Sequence, residues 1–159
     1  RKLAPLDDYR VAVHALLEID GVRVDVYNTH LHHTRDGAAV RSEQVADLLD
    51  FIRETRKGDQ AIPLGDFNAA PDWPELQPIH DSFSDTYALF HDDHTSEAHA
   101  TLNYHLGHSK RRIDYVFLSR SERPVLTPDS SAIVLDEPYA EGEWPSDHFG
   151  VETRFRLSP

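Results

Sequence analysis

The chain has 159 residues, 39% of them hydrophobic, with 28 acidic against 16 basic side chains and a net charge of −12. That length supports one ordinary core, and an acidic surface repels polyanions, which argues against a broad nucleic-acid-binding face or a tightly held DNA duplex. The absence of cysteine removes disulfides, thiolate catalysis and zinc–thiolate sites.

No apolar run approaches the roughly 18 residues of a membrane-spanning helix, and the first residues lack a signal-peptide pattern. The chain reads as soluble, with its compartment, cytoplasmic or secreted, left open because any signal peptide would lie upstream. It contains no methionine and begins Arg1-Lys2-Leu3, which reads as a processed or truncated product. There are no repeats and no Gly/Ser-rich linker, so residues 1–159 are expected to form one domain.

In chain order, RVAVHALLEI and VRVDVYNTH read as two strands joined at Asp20-Gly21, a pair suited to a type I′ hairpin turn whose central residues need positive φ. His30 ends the second strand. Over residues 38–57, Val45, Leu48, Leu49 and Ile52 recur at helical spacing, and Gly58 supplies an expected left-handed stop. AIPLG is a short apolar strand covered on both faces, so strand, helix, strand suggests a crossover unit of a layered α/β fold, with Asp66 at a strand's carboxyl end. Residues 72–106 have weak patterning and read as a long surface excursion. Two further strands, RIDYVFLS and GVETRFRL, flank the loop WPSDH.

Polar residues cluster at these strand ends. Asp66 and Asn68, two apart, would point the same way on a strand, or would form an Asx turn before Pro71. His30 alone could be a histidine bonded to a backbone carbonyl. His30 and His32 are spaced like part of a zinc-binding HxHxDH signature, which His33-Thr34-Arg35 then breaks. Arg112 and Asp114 could pair across one strand face, and Asp147-His148 could be a loop pair.

Taken together, NTHL (28–31), GDFN (65–68), RRIDY (111–115) and PSDH (145–148) resemble, in content and order, the motifs of the endonuclease/exonuclease/phosphatase family, whose members are DNase I-like, metal-dependent phosphoesterases. The resemblance covers nearly the whole chain. It implies a DNase I-like α/β sandwich of two packed β-sheets with helices outside. It also implies that Asp66 orients or deprotonates an attacking water, that Asn68 and His30 reach the phosphoryl oxygens, that Asp147 helps to hold a Mg²⁺ or Mn²⁺ ion, and that His148 stands beside the phosphorus, oriented by Asp114. Arg112 is expected to contact phosphate. The substrate would be a phosphorylated small molecule, a lipid headgroup or a nucleic acid.

The chemistry of the residues agrees with this division. Phosphoester hydrolysis requires an aligned water, donors at the equatorial oxygens and neutralisation of developing charge. Two further motifs of the family, an upstream Asn and a metal-binding Glu, cannot be placed before His30. The expectation is therefore a domain lacking its N-terminal part, with that missing segment as its partner and with a metal held weakly or not at all by the isolated chain, which would be inactive without the upstream Asn and Glu. A noncatalytic, phosphate-binding domain of the same fold is the alternative. Lys110, Arg111 and Arg112 form a compact basic spot that reads equally as a solvated charge run.

Overall fold

The computed structural model of the protein describes residues 1–5 and 8–158. Strand β1 (Ala12–Ile19) runs antiparallel to β2 (Val22–His30), and Asp20 and Gly21 between them adopt φ of 50° and 82°, the left-handed pair that a tight hairpin demands. Helix α1 (Ala38–Thr55) then crosses over so that β3 (Gln60–Asp66) lies parallel to β2. With β4 (Phe83–Asp85) and β5 (Asp114–Ser119) these strands make a five-stranded sheet in the order β1-β2-β3-β5-β4. Strands β6 (Leu126–Val134) and β7 (Gly150–Leu157) pair antiparallel as a second, two-stranded sheet.

Alternation along β2 and β3 builds the layers. Tyr27, Leu31 and Ala61 face α1 and join Val45, Leu48, Ile52, Phe67, Leu76 and Phe117 in one buried cluster. Val22, Val24 and Ile62 face the other way and meet Leu118 and Leu126, with Phe155 and Leu157 of β7 packed against them. The architecture is helix, sheet, sheet. Leu48 is fully buried, so truncation to alanine there costs about 2–5 kcal/mol.

Two sequence expectations change, and one strand, β6, is added. Gly58 is not a left-handed stop: α1 ends at Thr55, Arg56 turns extended, and Gly58 has no positive φ. Glycine is needed there for space, because a Cβ would lie 2.6 Å from the Arg23 carbonyl and 2.8 Å from the Asp25 carboxylate. Residues 72–106 are not a mere surface excursion, since a 3₁₀ turn (Pro74–Leu76), helix α2 (Gln77–Ser82) and β4 lie within them and Leu76, Ile79, Phe83 and Tyr87 are buried. Strand β6 carries Pro128, Asp129, Ser130 and Ser131 with a register shift, so its sequence lacks the alternation that marks β5.

Candidate active site

Three strand ends place the first side chains. His30 of β2 is opposite Asp66 of β3, and Asp66 is opposite Asp114 of β5, so the three stand abreast at one edge of the sheet. Gly65 permits this approach. Its φ of 125° is closed to other residues without strain, and a Cβ would fall 2.0 Å from the Thr29 carbonyl oxygen.

Beyond Asp66 the chain turns sharply. Asp66 Oδ1 accepts the Asn68 N–H at 2.8 Å, and Asn68 takes a φ of 51°. This is an Asx turn, and it coexists with a place in the cleft, because the other oxygen, Oδ2, faces His30 Nε2 at 3.3 Å and His148 Nε2 at 3.9 Å. Phe67 between them is the anchor: fully buried, it packs edge-on against Tyr115 and Phe117. Asn68 Nδ2 donates to the Leu31 carbonyl at 3.0 Å, leaving its second N–H available.

The last histidine arrives from far along the chain. His148 Nδ1 lies 2.9 Å from Asp114 Oδ2. Thr101 and Asn103, both fully buried, hold this geometry. Thr101 Oγ1 accepts the N–H groups of Ile113 and Asp114, its carbonyl accepts the N–H of Phe149, and the Asn103 N–H donates to the carbonyl of Asp147. Sequence reasoning missed both residues. The available signal was two polar groups flanking Leu102 in a segment otherwise poor in pattern.

His30, His33, Asp66, Asn68, Asp147 and His148 line an open cleft of about 440 Å³, with Asp114 behind His148. His33 was not expected there. Its Nδ1 is 3.1 Å from Arg10 Nη2. Arg112 lies elsewhere: its guanidinium is buried, pairs with Asp85 at 2.6 Å and stacks on Tyr87 and Tyr115. The phosphate contact expected of Arg112 is replaced by that partner, and so is the alternative pair with Asp114, because a buried guanidinium requires a buried carboxylate. His32 is committed to Asp8 and Thr34 through its two ring nitrogens, as a structural rather than a metal-binding histidine would be.

Burial, followed by the charge of Asp114, pushes the Asp66 carboxyl up to about 6, although the Asn68 N–H and His148 oppose the rise. The hydrogen bond that His148 donates to Asp114 raises the ring above the usual imidazole value against the effect of burial, and the charges of Asp114, Asp66 and Asp147 add to it. Burial, together with Arg10 and His148, lowers His30. The site thus holds one carboxylate able to take a proton near neutrality, one imidazole inclined to be cationic and one inclined to be neutral.

Ligand atoms of Asp66, Asp114 and His148 lie within 4.8 Å of one another. The two carboxylates repel, which adds to burial in raising Asp66, and a divalent cation would relieve that repulsion. Carboxylate oxygens also suit a hard ion. By donor chemistry the cleft fits such a cation.

The sequence profile of the endonuclease/exonuclease/phosphatase family matches residues 2–148. The chain belongs to this family. No curated protein sequence matches it. Among solved structures, the catalytic domain of human Nocturnin with bound sulfate superposes with a TM-score of 0.78 at 24% identity, over 99% of this chain and 56% of that one. TDP2 from D. rerio, complexed with a single-strand DNA product, gives 0.75 at 22% identity over 94% and 62%. The mannosyl-6-phosphatase Bt3783 of Bacteroides thetaiotaomicron gives 0.72 at 20% over 93% and 57%. The family fold is therefore the DNase I-like sandwich expected from the sequence, and this chain spans 56–62% of the length of these relatives. No helix among the described residues is long and apolar enough to cross a membrane.

Proposed function

We propose that residues 1–159 form one endonuclease/exonuclease/phosphatase-like domain that hydrolyses phosphoester bonds with a divalent metal, Mg²⁺ or Mn²⁺, by in-line attack of water. The observation that carries this reading is the convergence of Asp66 Oδ2 and the Nε2 atoms of His30 and His148 at 3.3 and 3.9 Å in one cleft, with Asp114 behind His148.

In this reading Asp66 accepts the proton of the attacking water, a task suited to a carboxyl held near 6. His148, whose cationic form Asp114 favours, donates to the phosphoryl oxygens, where negative charge builds. His30 and the free N–H of Asn68 supply further donors. Asp147, exposed on the cleft, would help to hold the cation, with Asp66 and Asp114 supplying further negative charge beside it. When bound, the ion neutralises charge on the phosphoryl and leaving groups.

The substrate is a phosphorylated small molecule, a lipid headgroup or single-stranded nucleic acid. TDP2 with its DNA product and the mannosyl-6-phosphatase support that range by likeness of fold. The test is hydrolysis of a bis-aryl phosphodiester, a sugar phosphate and a 5′-phosphorylated oligonucleotide with Mg²⁺ present and after chelation. Metal-dependent turnover abolished by His148→Ala is expected. Turnover indifferent to chelation or to His148→Ala overturns the mechanism. Specific phosphate binding without turnover favours the noncatalytic alternative.

A further inference from the structure

Residues 88–99, between β4 and the buried Thr101, are turns and one 3₁₀ turn (Glu97–His99), and three histidines pin them to the rest of the fold. His91 Nε2 lies 2.9 Å from the Ser131 carbonyl of β6, so that nitrogen already carries a proton, and a second proton on Nδ1 leaves the bond intact. His99 Nδ1 is 2.7 Å from the Tyr87 hydroxyl and its Nε2 is 2.9 Å from Asp93 Oδ1. The hydroxyl can accept and the carboxylate favours a positive ring, so both of these histidines tolerate protonation.

His94 does not. The buried guanidinium of Arg112 donates from Nη2 to His94 Nδ1 at 3.1 Å and from Nε to the His94 carbonyl at 3.3 Å. An arginine has no acceptor, so Nδ1 must present its lone pair and the ring must be neutral, with its proton on Nε2. Arg112 is itself fixed, by Asp85 at 2.6 Å and by the rings of Tyr87 and Tyr115 on which it stacks. A proton on Nδ1 therefore sets two cations at hydrogen-bond distance and turns the bond into a repulsion. The surroundings act in the same sense: burial, then the charge of Arg112, hold the His94 ring below the usual imidazole value, with His99 adding to them and Asp85 and Asp93 opposing. His80 of α2 also feels the charge of His94, and Arg120 lines the same hollow as His94 and His80.

We propose that His94 is an acid-sensitive latch, which on protonation lets go of Arg112 and releases residues 88–99 while Asp85 keeps Arg112 in place and β4 stays paired with β5. The latch does not depend on the hydrolase reading, but the two meet at Thr101. The released segment runs through Ala100 into Thr101, whose hydroxyl accepts the N–H groups of Ile113 and Asp114 and whose carbonyl accepts that of Phe149. The released segment binds the proton more tightly than the latched one, so the latch holds fully above the value of a free imidazole, near 6.5, and weakens as pH falls below it.

Hydrogen exchange of the full chain, read by mass spectrometry and corrected for the intrinsic pH dependence of exchange, follows the segment directly. Between about pH 7.5 and about pH 5.5 the opening of residues 88–99 should increase severalfold, to a ceiling of about tenfold for one proton displaced from a value near 6.5, while β2 and β3 keep their protection. His94→Asn places a carbonyl oxygen where Nδ1 stands and does not titrate in this range. It should keep the protection at neutral pH and lose the acid response, whereas His94→Ala should leave the segment open throughout. Protection indifferent to pH in the unaltered chain, or an acid response that His94→Asn retains, overturns the latch. A response lost in His80→Asn and kept in His94→Asn places the sensitive group on α2 and overturns it equally. Where a variant does not fold, NMR titration of the His94 ring in the unaltered chain decides: titration below the value of a free imidazole is expected, and titration at or above it overturns the latch.

Discussion

Nδ1 of His148 and Oδ2 of Asp114 lie 2.9 Å apart although 34 residues separate them in the chain. The carboxylate fixes the tautomer of the ring, directs Nε2 towards Asp66 and favours the imidazolium. Asp114→Asn keeps a partner for the ring but removes the charge. It is expected to lower kcat about 10–100-fold, whereas His148→Ala should lower it about 10²–10⁴-fold with KM little changed. Steady-state kinetics of both variants check this, with the exposed His108→Ala as a surface control. Equal defects in Asp114→Asn and His108→Ala would deny Asp114 its positioning role.

The repulsion between Asp66 and Asp114 has its own consequence. A divalent cation held beside them would bind the folded chain alone and should raise its melting temperature as concentration increases. Thermal melts with Mg²⁺ titrated against a chelated reference measure the shift. Asp66→Asn should weaken it by removing one charge from the pair. A melt insensitive to Mg²⁺ would argue against a cation among these residues.

The strand ends were legible because each is one motif on one strand: His30, Asp66 and Asp114 terminate or begin regular elements, and register then sets them abreast. Arg112 was misplaced for the opposite reason. Its partner, Asp85, sits on a three-residue strand in a segment with no readable period. Gly58 was misread because a glycine that provides space and a glycine that provides positive φ look alike in sequence. Thr101 and Asn103 act through backbone N–H and C=O groups of distant segments, and such partners leave no side-chain pattern.

Acid should unfold the domain partly through Asp25. This carboxylate is fully buried and takes hydrogen bonds from the backbone N–H groups of Lys57 and Gly58 and from His14, which hold it below the usual carboxylate range although burial acts against them. A group whose folded value is depressed contributes stability above its unfolded value, near 4, and that contribution is lost as pH falls through the folded value. Asp25→Asn should destabilise the protein by about 1–3 kcal/mol at neutral pH and flatten the dependence of stability on pH below about 4. Urea unfolding at a series of pH values measures both. An unchanged acid limb would place the acid sensitivity elsewhere.

Strand β1 is an edge of the five-stranded sheet, and Val13, Leu16, Leu17 and Ile19 along it are 42–59% exposed. An edge strand presents unpaired backbone donors and acceptors, and soluble proteins usually guard it with charge, proline or a cover. Here the guard is thin: of the eight residues of β1, Glu18 is the one carboxylate and none is lysine or arginine. Two drives therefore coincide on one strand, the burial of apolar side chains and the pairing of a free edge. The 159-residue chain is expected to bind a hydrophobic dye and to self-associate with rising concentration, as read by fluorescence and by sedimentation. Leu17→Lys with Ile19→Lys should suppress both, because these side chains are already exposed and a charge on the edge opposes strand addition without emptying the core. If the unaltered chain is a dye-silent monomer at every concentration, the edge of β1 is protected by something other than its own sequence.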